Sequence, residues 1–474
     1  MKDKFKVAVG AVKAISPIDG RYRPKVGTLA LYFSEEALIK YRIKVELTYL
    51  LFLSEKGIIK KITTGQKKEL LSILDQFGGK QALRVKEIEA TINHDVKAVE
   101  YFLREALAPF NLNIEEYIHF GLTSEDTNSL ALSLSIKEAR DQVILPAIKE
   151  VVNKLSEMVY SYRSLPMLGR THGQPAIPTT VGKEFLVFTI RLQKEMKNLS
   201  LLPIEAKLNG AVGNFNAHLV GFPEADWIAL SAEFIKSLNL VPNQFTTQIL
   251  PADSYLRLFQ SLSLINSIII GLDQDIWRYI SDNYFLQKPK KGEVGSSTMP
   301  QKVNPIDFEN SEGNLEVANA IFGLLVKKLA ISRLQRDLSD STVKRNIGVA
   351  FAHSLVAYKS SLIGLEKVIP NESFLREELL DHWEIVTEGI QTILKSTGDS
   401  RAYEKLKEFA RGKKLGQGEI KNFTSELKVS PKIKKRILAL TPLNYLGLAE
   451  TLVEKGLKVT NFEFSEETNE NKKK

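Results

Sequence analysis

From Asp253 to Tyr284 the chain runs without a proline, and Leu258, Leu262, Ile265, Ile269, Leu272, Ile276 and Ile280 recur along it at steps of three and four. That spacing is one stripe of an α-helix. It predicts a rod of about eight turns or more, which cannot bury its stripe without other helices beside it. A second long helix opens near Thr123. Thr123 and Asp126 have capping-box spacing, and Glu125 adds first-turn charge. Leu132, Ile136, Ala139 and Val143 continue its stripe, and Pro146 inside the pattern predicts a kink or break. Further helical runs cover Thr180 to Leu202 and Ile306 to Arg333, with shorter ones over Ser34 to Leu53 and Thr64 to Phe77. Strand-like alternation is scarce and short. The expected fold class is therefore all-α, with a central bundle of long helices. Their length exceeds what one compact monomer requires, which predicts packing between subunits.

Soft boundaries fall near residues 122 and 370. They give an N-terminal helical segment (1–122), a long-helix bundle (123–370) and a turn-rich C-terminal segment (371–474) that ends in the polar stretch Ser465 to Lys474. Hydrophobic content of 43% suits a folded protein with a large core. The absence of cysteine excludes disulfides and thiolate metal sites, and it fits a reducing compartment. The basic N-terminal stretch is interrupted by Lys13 and reads as neither signal nor transit peptide. No unbroken apolar run reaches about 18 residues, so a spanning helix is not expected. The formal charge of +9 is spread along the chain without a nucleic-acid motif, so a small polyanion is a better partner than DNA or RNA.

Gly295-Ser296-Ser297-Thr298-Met299-Pro300-Gln301-Lys302-Val303-Asn304-Pro305 carries the most chemistry. Asn304 suits a helix cap, Pro305 the first helical position, and Asp307 the first turn. With Gly292 upstream, this reads as a mobile loop that brings hydroxyls, a lysine and an amide to a helix N-terminus. Such a place suits a carboxylate, or a carboxylate gaining charge. Thr171-His172-Gly173-Gln174-Pro175 lies between two helical patterns and can present an imidazole to a cleft. Equally, His172 alone would pass for a surface histidine. Asn93-His94-Asp95 is a polar cluster on a stretch that otherwise reads as helix. Ser16 to Tyr22 is a turn that delivers Arg21 and Tyr22, and Ser341-Thr342-Val343-Lys344-Arg345 places two hydroxyls beside two cations. There is no P-loop, no GxGxxG and no HExxH, so neither a cofactor nor a metal site is expected.

Taken together, these stretches resemble a known family. Gly295 to Pro305 looks like the loop that marks the fumarase/aspartase superfamily. Ser16 to Tyr22, Thr91 to Glu100, Thr123 to Asp126, Arg170 to Pro175, Asn209 to Asn216, Ile306 to Asn314 and Arg336 to Asn346 resemble the bacterial-type branch of the adenylosuccinate lyases. The resemblance runs in order from about Ile15 to about Gly456. It implies three helical domains, a homotetramer whose active sites are each shared between three subunits, a cytoplasmic location and no cofactor. It also implies an anti β-elimination that releases fumarate from succinyl-AMP, leaving AMP, and from SAICAR, leaving AICAR.

By the same resemblance Ser296 is the base and His172 the acid. Lys302 and Asn304 hold the carboxylate that gains charge, with Ser297 beside them. Arg21, Tyr22, Asn93, His94, Asp95, Thr123, Ser124, Gln248, Asn310, Arg336, Ser341, Thr342, Lys344 and Arg345 bind the rest of the substrate. Gln301 departs from the histidine that close relatives often carry. Two other readings stay open at this point. One is a different superfamily member, an argininosuccinate lyase, fumarase or aspartase, whose substrates lack a nucleotide phosphate. The other is a helical binding protein that retains the scaffold.

Overall fold

A computed structural model describes residues 12–110, 112–289, 299 and 302–459. Ser296 and Ser297, with Gly292, Gly295 and Gln301, lie outside the described residues, as does the polar tail from Ser465. The chain divides into two compact units. The first comprises the residues up to Ala147 with Glu195–Ser267 and Gly313–Ala357. The second comprises Ile148–Lys194, Ile268–Glu312 and the residues from Tyr358 onward.

Helices dominate the described residues, as their stripes predict. The longest is Asp253–Ser281, and Leu258, Leu262, Ile265, Ile269, Leu272 and Ile276 along it are buried. It stops short of Tyr284 because Asn283 takes a left-handed conformation and a short strand, Phe285–Gln287, follows. The Thr123 helix runs Ser124–Ala139, then loosens into a π-helical turn over Arg140–Ile144 before Leu145–Ser161 continues. The irregularity sits just ahead of Pro146, whose ring and missing N–H disturb the preceding turn. Val181–Leu201 falls where expected, and the helix Ile306–Leu329 starts one residue after Pro305 as expected but stops short of the expected end at Arg333. Asp253–Ser281 and Ser339–Lys367 are long and apolar enough by mean hydropathy to cross a membrane. However, 50% and 72% of those windows are buried in the protein, which explains their composition without a bilayer.

In the first unit, Glu35–Glu55 packs along Ser124–Ala139, and Gly79–Ile92 pairs with Asp95–Leu107. Aromatic rings lock this core: Phe234 meets Tyr49 and Phe52 at 5.3 Å, and Phe322 stacks on Phe259 at 5.6 Å. The expected continuous helix through Asn93-His94-Asp95 is instead a break. Asn93 ends one helix in a left-handed conformation, and His94 caps the next by accepting the Lys97 amide at 3.1 Å. The apolar stripe carries on across the break, and that is why the sequence reads as one element.

In the second unit, Pro166–Thr171 and Gln174–Thr180 form an antiparallel hairpin. A second antiparallel pair joins Phe285–Gln287 to Val368–Pro370. Short helices follow from Glu372–Asp381 to Ala449–Val459.

Candidate functional site

A cavity of about 630 Å³ opens within the first unit. The helix Glu35–Glu55 gives it Leu38 and Arg42, and the break between helices gives it Asn93, His94 and Asp95. The N-terminus of Ser124–Ala139 gives Ser124, Glu125 and Asn128, and the segment around Ser339–Lys344 gives Arg336, Ser341, Lys344 and Arg345. Four stretches far apart in sequence thus meet at one hollow.

A continuous polar chain runs along its wall. Arg42, almost fully buried, pairs with Asp95 at 2.6 Å and donates to Asn128 Oδ1 at 2.9 Å. Burial pushes the Asp95 carboxyl up, but the Arg42 charge and hydrogen bond and the Val96 amide outweigh it, and Asp95 lies below the usual carboxylate range. Asn128 donates to Glu125 Oε1 at 2.8 Å. The buried Glu125 then meets Arg336 at 3.0 Å and Lys344 at 3.8 Å, while Lys344 also pairs with Asp340 at 2.5 Å. The other arm of Arg336 donates to Gln248 Oε1 at 3.3 Å. Arg345 and Glu35 approach to 3.7 Å at the exposed end. Because His94 Nδ1 accepts a backbone amide, the ring carries its proton on Nε2 when neutral.

Four cationic side chains line the cavity (Arg42, Arg336, Lys344 and Arg345), against five carboxylates (Glu35, Glu89, Asp95, Glu125 and Asp340). An anion is therefore not drawn here by excess positive charge. It would be recognised by cations already held in place, which can form charge-assisted bonds of fixed direction. Among the described residues, no group of three His, Cys, Asp or Glu is arranged to hold a metal ion.

Of the residues expected in the site, Asn93, His94, Asp95, Ser124, Arg336, Ser341, Lys344 and Arg345 are brought together, and Gln248 joins them through Arg336. Thr123 adjoins Ser124, but its amide is occupied: Asp126 Oδ2 accepts it at 2.9 Å. This is the capping box that the Thr123–Asp126 spacing predicts, and it uses the Thr123 donor within the helix start. Arg21, Tyr22 and Thr342 are not among the residues that line the cavity.

His172, Lys302, Asn304 and Asn310 belong to the second unit. The connection between helices that carries His172 is a hairpin, with His172 at its tip, where Thr171 pairs with Gln174. His172 and Gly173 have φ of 54° and 73°, the two-residue turn whose twist matches the strands. A left-handed histidine is strained, and such strain persists where the surroundings hold it. Here Arg170 braces the tip, donating to Gly173 O at 3.2 Å and Tyr284 Oη at 3.2 Å and pairing with Glu378 at 2.5 Å. The ring of His172 is exposed. Lys302 is exposed as well, and Gln287 Nε2 ties this stretch down by donating to Val303 O at 2.9 Å. Asp307 lies in the first turn of its helix as expected, paired with Lys367 at 2.7 Å, and Asn310 accepts from Ser360 at 2.8 Å.

Sequence reasoning missed Arg42 and Asn128, and read Glu125 only as first-turn charge. Arg42 and Glu46 did leave a trace: two charges four residues apart, each flanked on both sides by buried apolar residues, Tyr41 and Ile43 about the first and Val45 and Leu47 about the second. Asn128 left none.

The same architecture occurs in solved enzymes. A fumarate lyase from Mesorhizobium sp. BNC1 superposes with a TM-score of 0.74 at 18% identity, covering 91% of this chain and 97% of its own. The 3-carboxy-cis,cis-muconate lactonizing enzyme from Pseudomonas putida gives 0.74 at 18%, covering 92% and 97%. A lyase family model matches residues 20–323. Fold and model together define a helical lyase of the fumarase/aspartase superfamily.

Within that class the match narrows. The adenylosuccinate lyase C-terminal model covers residues 332–446. The adenylosuccinate lyase of Escherichia coli K12 is 46% identical over 451 residues, 94% of this chain and 99% of the relative. That of Dictyostelium discoideum is 46% identical over 462 residues, with the same coverage. The chain belongs to the adenylosuccinate lyase family.

Proposed function

We propose that the chain cleaves the C–N bond of succinyl-AMP to AMP and fumarate, and that of SAICAR to AICAR and fumarate, by anti β-elimination. Ser296 is the base. It takes a proton from the carbon beside a carboxylate, the electron pair forms the new double bond, and the C–N bond breaks. His172 gives the departing nitrogen its proton on the opposite face. The elimination is redox-neutral, so this reading calls for no cofactor.

A serine hydroxyl is a weak base in water. It acts as one where water is excluded and fixed donors stabilise the alkoxide. Lys302 and Asn304 hold the carboxylate that becomes a dianion, with Ser297 beside them. Each preorganised donor of this kind typically contributes about 3 kcal/mol to the transition state. The nucleotide portion belongs to Asn93, His94, Asp95, Thr123, Ser124, Gln248, Arg336 and Ser341 to Arg345, with Arg21, Tyr22 and Asn310. In this reading the protein is a cytoplasmic homotetramer of three-domain subunits, and each active site combines residues from three of them.

The observation that carries the reading is identity near one half along almost the whole chain, joined to a cavity three of whose four cations (Arg336, Lys344 and Arg345) come from a segment that carries the family resemblance. The test is the fall in absorbance of succinyl-AMP with equal release of fumarate. Ser296→Ala and His172→Ala are each expected to lose turnover by about a thousandfold or more while remaining folded. Near-normal rates in either variant would remove that residue from its role. Turnover of argininosuccinate, malate or aspartate in place of succinyl-AMP would overturn the substrate.

A further inference from the structure

Behind the cavity wall, Lys207 and Asp126 form an ion pair at 3.0 Å in which neither side chain has any exposed surface. Every direction of this pair is used. The Lys207 ammonium reaches Asp126 Oδ1, donates to Gly210 O at 3.0 Å and donates to Gln248 O at 2.8 Å. Asp126 also accepts three backbone amides: Thr123 at 2.9 Å, Asn209 at 3.0 Å and Gly210 at 3.1 Å. Three chain segments far apart in sequence are thereby fixed to one point.

A buried ion pair is poor evidence of stabilisation, because apolar replacements often match it. What distinguishes this one is where its bonds go. Thr123 leads into Ser124 at the cavity. Gln248, whose carbonyl Lys207 holds, presents its side chain to Arg336. The second arm of Arg336 is held by Glu125, the residue next to Asp126. Both anchors of the Arg336 guanidinium therefore refer back to the same buried hub.

We infer that Lys207 and Asp126 are positioning residues for the nucleotide portion of the substrate, setting Ser124, Gln248 and through them Arg336 without touching the ligand. The inference rests on the nucleotide reading above for the identity of the ligand, and on the hydrogen bonds alone for the positioning.

The test uses full-length protein carrying Lys207→Met, with Lys207→Arg as the second variant. Arginine keeps the charge but cannot direct three donors along the same lines. Three quantities are measured: the Kd for AMP, the inhibition constant of fumarate, and hydrogen exchange in peptides covering residues 119–124, 207–213 and 246–250. The expected result is AMP binding weakened about tenfold or more, fumarate inhibition unchanged within about twofold, and faster exchange in all three segments together. General destabilisation would lower active protein without separating AMP from fumarate. If Lys207→Met does not fold, Lys207→Arg is expected to show the same AMP-selective loss. AMP affinity at the wild-type level in a folded variant, or unchanged exchange in the three segments, overturns the inference. Failure of the wild type itself to bind AMP overturns the nucleotide reading instead, and the exchange comparison still decides the positioning.

Discussion

His218 is fully buried, and neither ring nitrogen has a hydrogen-bond partner among the described residues. Its ring lies 4.7 Å from that of Trp227 and 5.5 Å from that of Phe215. Burial drives its pKa down to about 4, partly opposed by the Asp126 carboxylate and reinforced by the Lys207 charge. In the unfolded chain the same group titrates near its ordinary value of about 6.5. Between those two values the unfolded state binds the proton and the folded state refuses it, so stability falls as pH drops through this window and levels off below it. A difference of this size corresponds to roughly 3 kcal/mol, most of it lost by about pH 4.5. Replacing His218 with leucine removes the titration while keeping an apolar side chain of similar volume. Urea unfolding of wild type and His218→Leu, at matched protein concentration from about pH 7 to about pH 4.5, is the assay. The two stability curves are expected to converge or cross on acidification by about 2–3 kcal/mol in favour of the variant. Parallel curves would refute the assignment, whatever the offset at neutral pH. His353 is also buried and lowered, but it is present in both proteins and cancels in the difference.

Two further changes probe the scaffold. Gly213 has φ +80°, and a Cβ there would lie 2.3 Å from Thr246 O, so Gly213→Ala combines a strained backbone with a backbone clash. It is expected to cost about 2–4 kcal/mol, read as a lower thermal midpoint, and an unchanged midpoint would contradict it. Asp273 is buried, with Ser361 donating to it at 2.8 Å, and burial raises its carboxyl pKa to about 8. The folded state retains a proton that the unfolded state releases near pH 4, so this group reduces stability as pH rises toward 8. Asp273→Asn is expected to gain on wild type over that rise in urea titrations, and a pH-independent difference would count against the raised value.

The helices were legible because long apolar stripes repeat at helical spacing and their burial follows directly. Asp253–Ser281 is the clearest case. The hairpin around His172 was not legible. Its strands are short, and Pro166, Pro175 and Pro178 interrupt any alternation. Proline is tolerated there because a two-stranded ribbon leaves each strand an open edge. The break at Asn93 was hidden for the opposite reason: the apolar stripe continues through it, and a left-handed asparagine leaves only a weak mark in sequence. At the cavity, the resemblance supplied Arg336 and Lys344 but not Glu125, which holds both. That contact spans more than two hundred positions, and no local pattern encodes it. Ser296, the proposed base, lies outside the described residues.

The charge pattern connects these parts. The chain as a whole is cationic, yet the cavity holds slightly more carboxylates than cations. Net attraction therefore accounts for approach at most, since fields from exposed charges are screened over about a Debye length. Recognition at contact must come from direction. Folding removes Arg336 largely from water and satisfies its arms with Glu125 and Gln248, so its desolvation and ordering costs fall on folding rather than on binding. A ligand phosphate reaching Arg336 or Lys344 would exchange one anionic partner for another at a fixed place. Such an exchange favours the ligand only if the guanidinium stays where the phosphate needs it. That requirement gives a physical reason for a fully buried lysine–aspartate pair behind the wall, where a simpler apolar core would have served stability equally well.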